Sequence, residues 1–267
     1  MISVIVAFYK NLAFLNLLLE GLQRQTYHNF EAIIAEDDNA PATRDYLEMR
    51  SGELSFPVKH VCQEDIGFRK TRILNAAVRA AEGEFLVFLD QDCIPHRHCL
   101  KEYAVIAREG TFFFGRRVMM SESLTRKLVE SGNRRLLSLV SQAWHKSKRI
   151  EDGIYLPFFR KRTNSNGLLG CNWGIMKKHI LEVNGYDEDY VTAGVGEDID
   201  IEWRLLANGL KKQTMRHRAI VYHLHHVAHY PQDSPPSHAL LKEKKAAGHI
   251  YCINGLDKFA VKGPLQP

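Results

Sequence analysis

The chain has 267 residues, enough to bury a sizeable core as one large α/β domain, and its apolar (45%) and charged (25%) fractions are those of an ordinary globular protein. A net charge of +5 is modest at this length, and with no nucleic-acid motif beside the basic residues it argues against a nucleic-acid partner. Five scattered cysteines (Cys62, Cys93, Cys99, Cys171, Cys252) without a CxxC pair exclude a disulfide framework and a zinc ribbon, and fit a reducing cytoplasm.

The first hundred residues alternate between two periods. "SVIVAFY" at the N-terminus reads as a strand, too short and too weakly basic at its start for a secretory signal. "NLAFLNLLLEGLQRQ" has helical spacing, and Asn16 and Glu20 keep its apolar run below a bilayer span. "FEAIIAEDD" is a second strand and "ATRDYLEMRS" a helix. "PVKHVCQ" is a third strand, "RKTRILNAAVRAAEG" a helix ending at Gly83, and "EFLVFLD" a fourth strand. Strands separated by helices predict βαβ units and a mostly parallel sheet flanked by helices.

The rest is looser. "TFFFGRRVMM" reads as one strand, residues 122–145 as helical, and 145–166 as a long loop of the kind that forms lids. "LLGCNWGIMKK" is a strand followed by a short helix. A later helix is expected from Glu197 to Gly209, with Ile199, Trp203 and Leu206 on one face. "AIVYHLHH" is a strand, and a basic helix starts near Ser237. The organisation expected is a single domain in two halves, 1–110 and 111–235, with a basic tail at 236–267.

Ligands bind such sheets at the carboxyl ends of the strands, and acidic residues collect there. Asp37 and Asp38 close the second strand; Asp90 and Asp92 close the fourth. Alternate strand residues share a face, so Asp90 and Asp92 can point at one ligand. Each pair alone could be a turn; two pairs on one rim point to a site.

Asp37-Asp38, Asp90-Gln91-Asp92 and "GEDIDIEWR" together resemble family-2-type glycosyltransferases of the GT-A (Rossmann-like) fold, over roughly residues 2–230. Residues 170–204 are also similar to β-1,4-galactosyltransferases and bacterial chondroitin polymerase domains. The resemblance implies an inverting, metal-dependent enzyme that moves a hexosyl or N-acetylhexosaminyl group from a UDP-sugar to a glycan or lipid-linked saccharide. Asp37, with Asp38 beside it, would bind the uracil. Asp90 and Asp92 would form the DxD motif, Asp92 holding Mn²⁺ or Mg²⁺ and Asp90 contacting ribose or metal. Hard divalent cations prefer such oxygen ligands.

Three further assignments come with the resemblance. Among His223, His225, His226 and His229, motif position favours His223 as the last metal ligand, within bridging reach of Asp92. Asp198 would be the general base, kept ionised by its place in the first turn of a helix, with Glu197 on the acceptor or sugar. In the helix after the third strand Asn75 matches the family, but Leu74 stands where an arginine is common, so Arg69 and Arg72 both remain candidates for the diphosphate. Trp173 has two readings, a sugar-stacking ring or a core residue.

Rival readings are a metallohydrolase built on the His223–His229 cluster and a non-catalytic nucleotide-sugar-binding domain. The basic C-terminal segment would suit a peripheral position at the inner face of a plasma membrane, in synthesis of surface polysaccharide or lipopolysaccharide.

Overall fold

A computed structural model of the chain describes residues 1–158, 167–192, 196–227 and 235–261. In chain order its elements are β1 (Ile2–Phe8), α1 (Leu12–Gln23), β2 (Phe30–Glu36), α2 (Pro41–Ser51), β3 (Val58–Cys62), α3 (Lys70–Ala80), β4 (Phe85–Asp90), β5 (Cys93–Pro95), α4 (Cys99–Ile106), β6 (Thr111–Phe114), β7 (Arg116–Met119), α5 (Glu122–Ser131), α6 (Leu139–Trp144), β8 (Asn172–Met176), α7 (Lys177–Glu182), α8 (Glu197–Ala207), β9 (Lys211–Thr214), β10 (Ile220–His223) and α9 (Pro235–Ala246).

Seven strands form the main sheet in the order β3-β2-β1-β4-β8-β6-β9. β3, β2, β1 and β4 run parallel, and β6 pairs parallel with β9; only β8 runs against its neighbours β4 and β6. The sheet is therefore mostly parallel with helices on both faces, which is the expected GT-A architecture. Alternation along β1 divides the core. Val4, Val6 and Phe8 pack against Leu15, Leu18 and Leu22 of α1, whereas Ile5 faces Ile73, Ala77 and Val78 of α3. Such burial contributes on the order of 1.5–3 kcal/mol per large side chain.

A second sheet, β5-β10-β7, lies beyond the β4 end. It explains a departure from the sequence reading: "TFFFGRRVMM" is two strands, one in each sheet. The chain changes sheets at Gly115, whose N–H donates to the Asn172 carbonyl at 2.8 Å. A Cβ there would sit 2.0 Å from the Asn172 side-chain nitrogen and 2.5 Å from the Ala219 carbonyl oxygen. Only glycine allows that approach. Region 122–145 is likewise interrupted, as α5, a 3₁₀ turn at Arg134–Leu137 and α6.

Helix α8 turns a different face inward than its apolar spacing predicts. Ile199 and Leu206 are exposed, while Ile201 and Leu205 are buried beside an Asp200–Arg204 ion pair of 2.7 Å. The Arg204 guanidinium also donates to the Val183 and Gly185 carbonyls, both at 2.8 Å, so the polar pair is satisfied and the helix docks through it. Among the described residues, the C-terminal segment packs on the body. Lys244 of α9 is buried against Asp187 and, at 2.5 Å, Asp189; Cys252 and Leu256 are buried in the body.

Candidate active site

The site is a cleft of about 560 Å³ at the carboxyl ends of β1 and β4. These strands end side by side, Ala7 paired with Asp90. Gln91, the middle residue of the triplet, ties the two strand ends together. Its backbone N–H donates to the Ala7 carbonyl at 3.0 Å, its side-chain oxygen accepts from the Tyr9 N–H at 2.8 Å, and its side-chain nitrogen donates to the Tyr9 carbonyl at 3.0 Å. A side-chain amide can mimic a strand partner in this way, and the carboxylates on either side are thereby aimed.

Asp92 lies on the turn into β5, which pairs antiparallel with β10 and sets Cys93 opposite His223. The Asp92 Oδ2 is 3.4 Å from Nε2 of His223 and 2.9 Å from Nε2 of His226. The expected proximity of Asp92 and His223 is present, and His226 also reaches Asp92. His225 instead faces outward with its backbone on Thr125, and His229 lies outside the described residues.

Burial would raise the Asp92 carboxyl, but the hydrogen bond from His226 and the nearby imidazoles hold it below its ordinary value. Burial pushes His223 down despite the Asp92 charge, which favours the neutral, ligating imidazole. Its Nδ1 is buried without a partner. Ligand atoms of Asp92, Cys93 and His223 lie within 4.8 Å of one another. Burial keeps Cys93 a thiol, which donates to Asp92 Oδ1 at 3.3 Å. What remains is an oxygen and imidazole set, which fits Mn²⁺ or Mg²⁺ better than a thiophilic ion.

Asp90 accepts a 2.8 Å ion pair from Lys70, at the start of α3. Burial would lower the Lys70 ammonium, but Asp90, Asp198 and Glu197 hold it well above its ordinary value. Asp198 and Glu197 come from the first turn of α8 and line the same cleft. The Gly170 N–H donates to Asp198 Oδ2 at 2.8 Å, while Oδ1 has no partner. A Cβ on Gly170 would sit 2.2 Å from that Oδ1, so the glycine makes room for the carboxylate.

The Asp198 carboxyl is raised to about 7, by burial first and by Glu197 second, against the opposing pull of Lys70. This reverses the expectation that the helix dipole keeps it a strong anion. Dipole stabilisation is about 0.3–1 kcal/mol, less than the cost of burying a carboxylate beside another. A base titrating near neutrality is well matched to proton abstraction at pH 7.

Asp37 lines the far wall, with its oxygens accepting from Gln63 Nε2 at 2.6 Å and the Arg69 N–H at 2.8 Å. Asp38 turns aside, bonded to the Asn39 N–H at 2.7 Å and 3.9 Å from Lys10.

Four further candidates, besides Asp38, are not brought to the cleft. Arg69 spends its guanidinium on the Glu64 carbonyl, and Arg72 is exposed near Glu188. Asn75 is fully buried, its nitrogen on the Tyr186 carbonyl at 2.8 Å and its oxygen on the Tyr186 N–H at 2.8 Å. Trp173 is buried in the core, stacked on Phe88 at 4.5 Å, so no face is left for a sugar. Helical phase explains the first two: Lys70 shares the inward face with Ile73 and Leu74, and positions 69 and 72 do not.

Among known protein families, the model described as glycosyl transferase family 2 matches residues 3–180, two thirds of the chain. The chain belongs to glycosyl transferase family 2. A second model, described as the N-terminal domain of galactosyltransferase, matches residues 153–227, which include Asp198 and His223.

Among curated relatives of this family 2 chain, validoxylamine A glucosyltransferase of Streptomyces hygroscopicus subsp. jinggangensis is 26% identical over 81% of the chain and 54% of the relative. Chondroitin synthase of Escherichia coli is 24% identical over 83% of the chain and 34% of the relative. The chain thus spans about half the length, or less, of these relatives. Among solved structures, S. aureus TarS 1-349 in complex with UDP-GlcNAc superposes with a TM-score of 0.63 at 16% identity, over 96% of this chain and 68% of that one. That likeness establishes the GT-A glycosyltransferase fold.

Lys70 and Arg117 also line the cleft of this family 2 chain without being singled out by the sequence reading, which names His226 only as one of four histidines. Arg117 projects from β7 into the cleft and donates to Cys171 Sγ at 3.3 Å. A signal for Lys70 is present, since it stands one residue from the suspected Arg69 and three from a buried isoleucine. For Arg117 the sequence signal is the basic pair Arg116-Arg117, which alone does not say which side chain faces the cleft.

Proposed function

We propose that the protein is a metal-dependent inverting glycosyltransferase that moves a sugar from a UDP-sugar to a hydroxyl of a glycan or lipid-linked saccharide. The observation that carries the reading is the convergence of Asp198, with one unpartnered oxygen, and the Asp92–His223 pair on one cleft at the strand ends. Asp198 takes the proton of the acceptor hydroxyl, whose oxygen then attacks the anomeric carbon. The bond from that carbon to the diphosphate oxygen breaks on the opposite side, and UDP leaves with the electron pair. Asp92 and His223 would hold the cation, with Asp90 contributing; when bound, it neutralises charge on the leaving diphosphate. Lys70 keeps a positive charge between the donor side and Asp198. Asp37 supports the uracil end, and Glu197 the acceptor or the transferred sugar.

The donor reading draws on TarS, whose structure is described in complex with UDP-GlcNAc, and the Mn²⁺ reading on PcManGT from Pyrobaculum calidifontis, described in complex with GDP-Man and Mn²⁺. We assign the reaction to the cytoplasmic face of a membrane, in surface-polysaccharide or lipopolysaccharide synthesis; no helix among the described residues is long and apolar enough to cross one. A UDP-sugar panel read by thermal shift with and without Mn²⁺ tests donor and metal together. Stabilisation by UDP-sugars only with Mn²⁺ is expected. Tightly held zinc without UDP binding would favour the hydrolase reading, which accounts for Asp92, His223 and His226 but not for Asp90, Lys70 and Asp198. UDP binding with no UDP release for any acceptor would favour a binding domain.

A further inference from the structure

On the far side of the small sheet lies a second cavity, of about 600 Å³, between α1, the β5 end and the 3₁₀ turn before α6. Along β10 His223 faces the first cleft and Tyr222 this one, as strand alternation requires. Four guanidinium groups line it: Arg24, Arg97, Arg134 and Arg135. Among the described residues none of the four forms a salt bridge; the nearby Glu20 is committed to Arg50 at 2.8 Å. Arg134, which donates to the Leu17 carbonyl at 2.8 Å, is pulled down to about 10 by burial and then by Arg24. Such a cluster of like charges around a concave surface attracts an anion.

The same 3₁₀ turn leads directly into α6, where Ser138 both lines the cavity and caps the helix. α6 buries Gln142 and turns Leu139, Val140, Ala143 and Trp144 outward on one face; Val140 is 80% and Trp144 83% exposed. Between Ser131 and Arg149 the chain carries five Lys or Arg residues and no Asp or Glu. An exposed tryptophan and aliphatic residues rimmed by cations are the chemistry of a bilayer interface.

We propose that α6 and the arginine-lined cavity form a membrane-docking face, with the α6 apolar residues seated among lipid chains and a lipid phosphate headgroup in the cavity. It rests on the peripheral placement in the reading above and moves the contact from the C-terminal segment, whose Lys244 is buried in ion pairs, to the α6 side. Charge complementarity selects an anionic bilayer over a second protein copy, which would bring the same five cations against themselves.

The test is co-sedimentation of the full chain with vesicles of phosphatidylcholine, with or without phosphatidylglycerol. Binding only to the anionic vesicles is expected, lost at high salt, with Trp144 emission quenched by brominated lipid. The exposed pair Arg24→Gln/Arg135→Gln should weaken partition roughly tenfold or more, and Trp144→Ser should remove the quenching and weaken partition several-fold. Mn²⁺-dependent UDP binding, read by thermal shift, should be unchanged in both variants; it checks folding and tests the catalytic reading separately. Equal partition of the variants and the parent chain would overturn the proposal. So would titration showing that the cavity takes inorganic phosphate while vesicles stay unbound, or a concentration-dependent dimer that Trp144→Ser dissolves.

Discussion

Lys70 Nζ lies 2.8 Å from Asp90 Oδ1 and carries its charge toward Asp198 on the other wall of the cleft. One cation thus acts on carboxylates of both walls of the cleft. Replacing it should therefore have two effects that a purely structural lysine would not combine. In Lys70→Met the acidic limb of the pH–kcat profile should move upward, because Lys70 is what opposes the rise of Asp198. Transfer at pH 7 should fall roughly tenfold. An unmoved limb with a lower plateau would mean that Lys70 acts on the donor alone.

Asp198→Asn should abolish transfer, by about a thousandfold or more, while Mn²⁺-dependent UDP binding persists. Stability gives an independent readout. The folded carboxyl titrates at about 7 against an ordinary 3.8, so its neutral form is the one the fold favours. That contribution is complete below the unfolded value and is lost as pH rises through about 7. The Asn variant should therefore gain on the parent chain as pH rises from about 4 to about 7 and keep that advantage above it, by on the order of 1–3 kcal/mol in urea melts.

In the parent chain, kcat should fall about tenfold per pH unit below 7 as the base protonates. A pH–rate series with saturating donor and Mn²⁺ checks this, and a flat profile down to about pH 5 would place the base elsewhere.

His223→Ala should weaken Mn²⁺ binding in the presence of UDP by roughly a hundredfold, and His226→Ala by about tenfold. The difference reflects their roles: the neutral His223 is free to ligate, whereas His226 hydrogen-bonds Asp92 and orients it. Mn²⁺ titration followed by thermal shift separates the two, and equal losses would make both histidines ligands.

Trp173→Phe should lower stability by about 1–3 kcal/mol and leave the KM for donor and acceptor unchanged, since the ring stacks on Phe88 in the core. A raised KM with normal stability would restore the sugar-stacking role.

The first four strands and three helices are legible in the sequence because periodicity and punctuation agree there, and the two acidic pairs mark the rim. The meeting of Asp92 with His223 is legible only through resemblance, since they stand 131 positions apart and no local pattern pairs the turn after β4 with a late strand. Trp173, Asn75 and the inner face of α8 mislead for one shared reason: residue type suggests their roles, and partners in space decide them. Phe88 covers the tryptophan, Tyr186 saturates the asparagine, and Arg204 makes Asp200 burial tolerable. The elevated Asp198 belongs here too, because its burial and its neighbour in space outweigh its helix position.

The Asn75 clamp also fixes the spacing of the two walls of the cleft. Asn75 holds α3 to Tyr186, and Arg204 holds α8 to the Val183 and Gly185 carbonyls, so one run of buried hydrogen bonds joins the helix carrying Lys70 to the helix carrying Asp198. The ammonium and the carboxylate are therefore held in place before any ligand arrives, and little rearrangement of the two helices is left to the moment of binding.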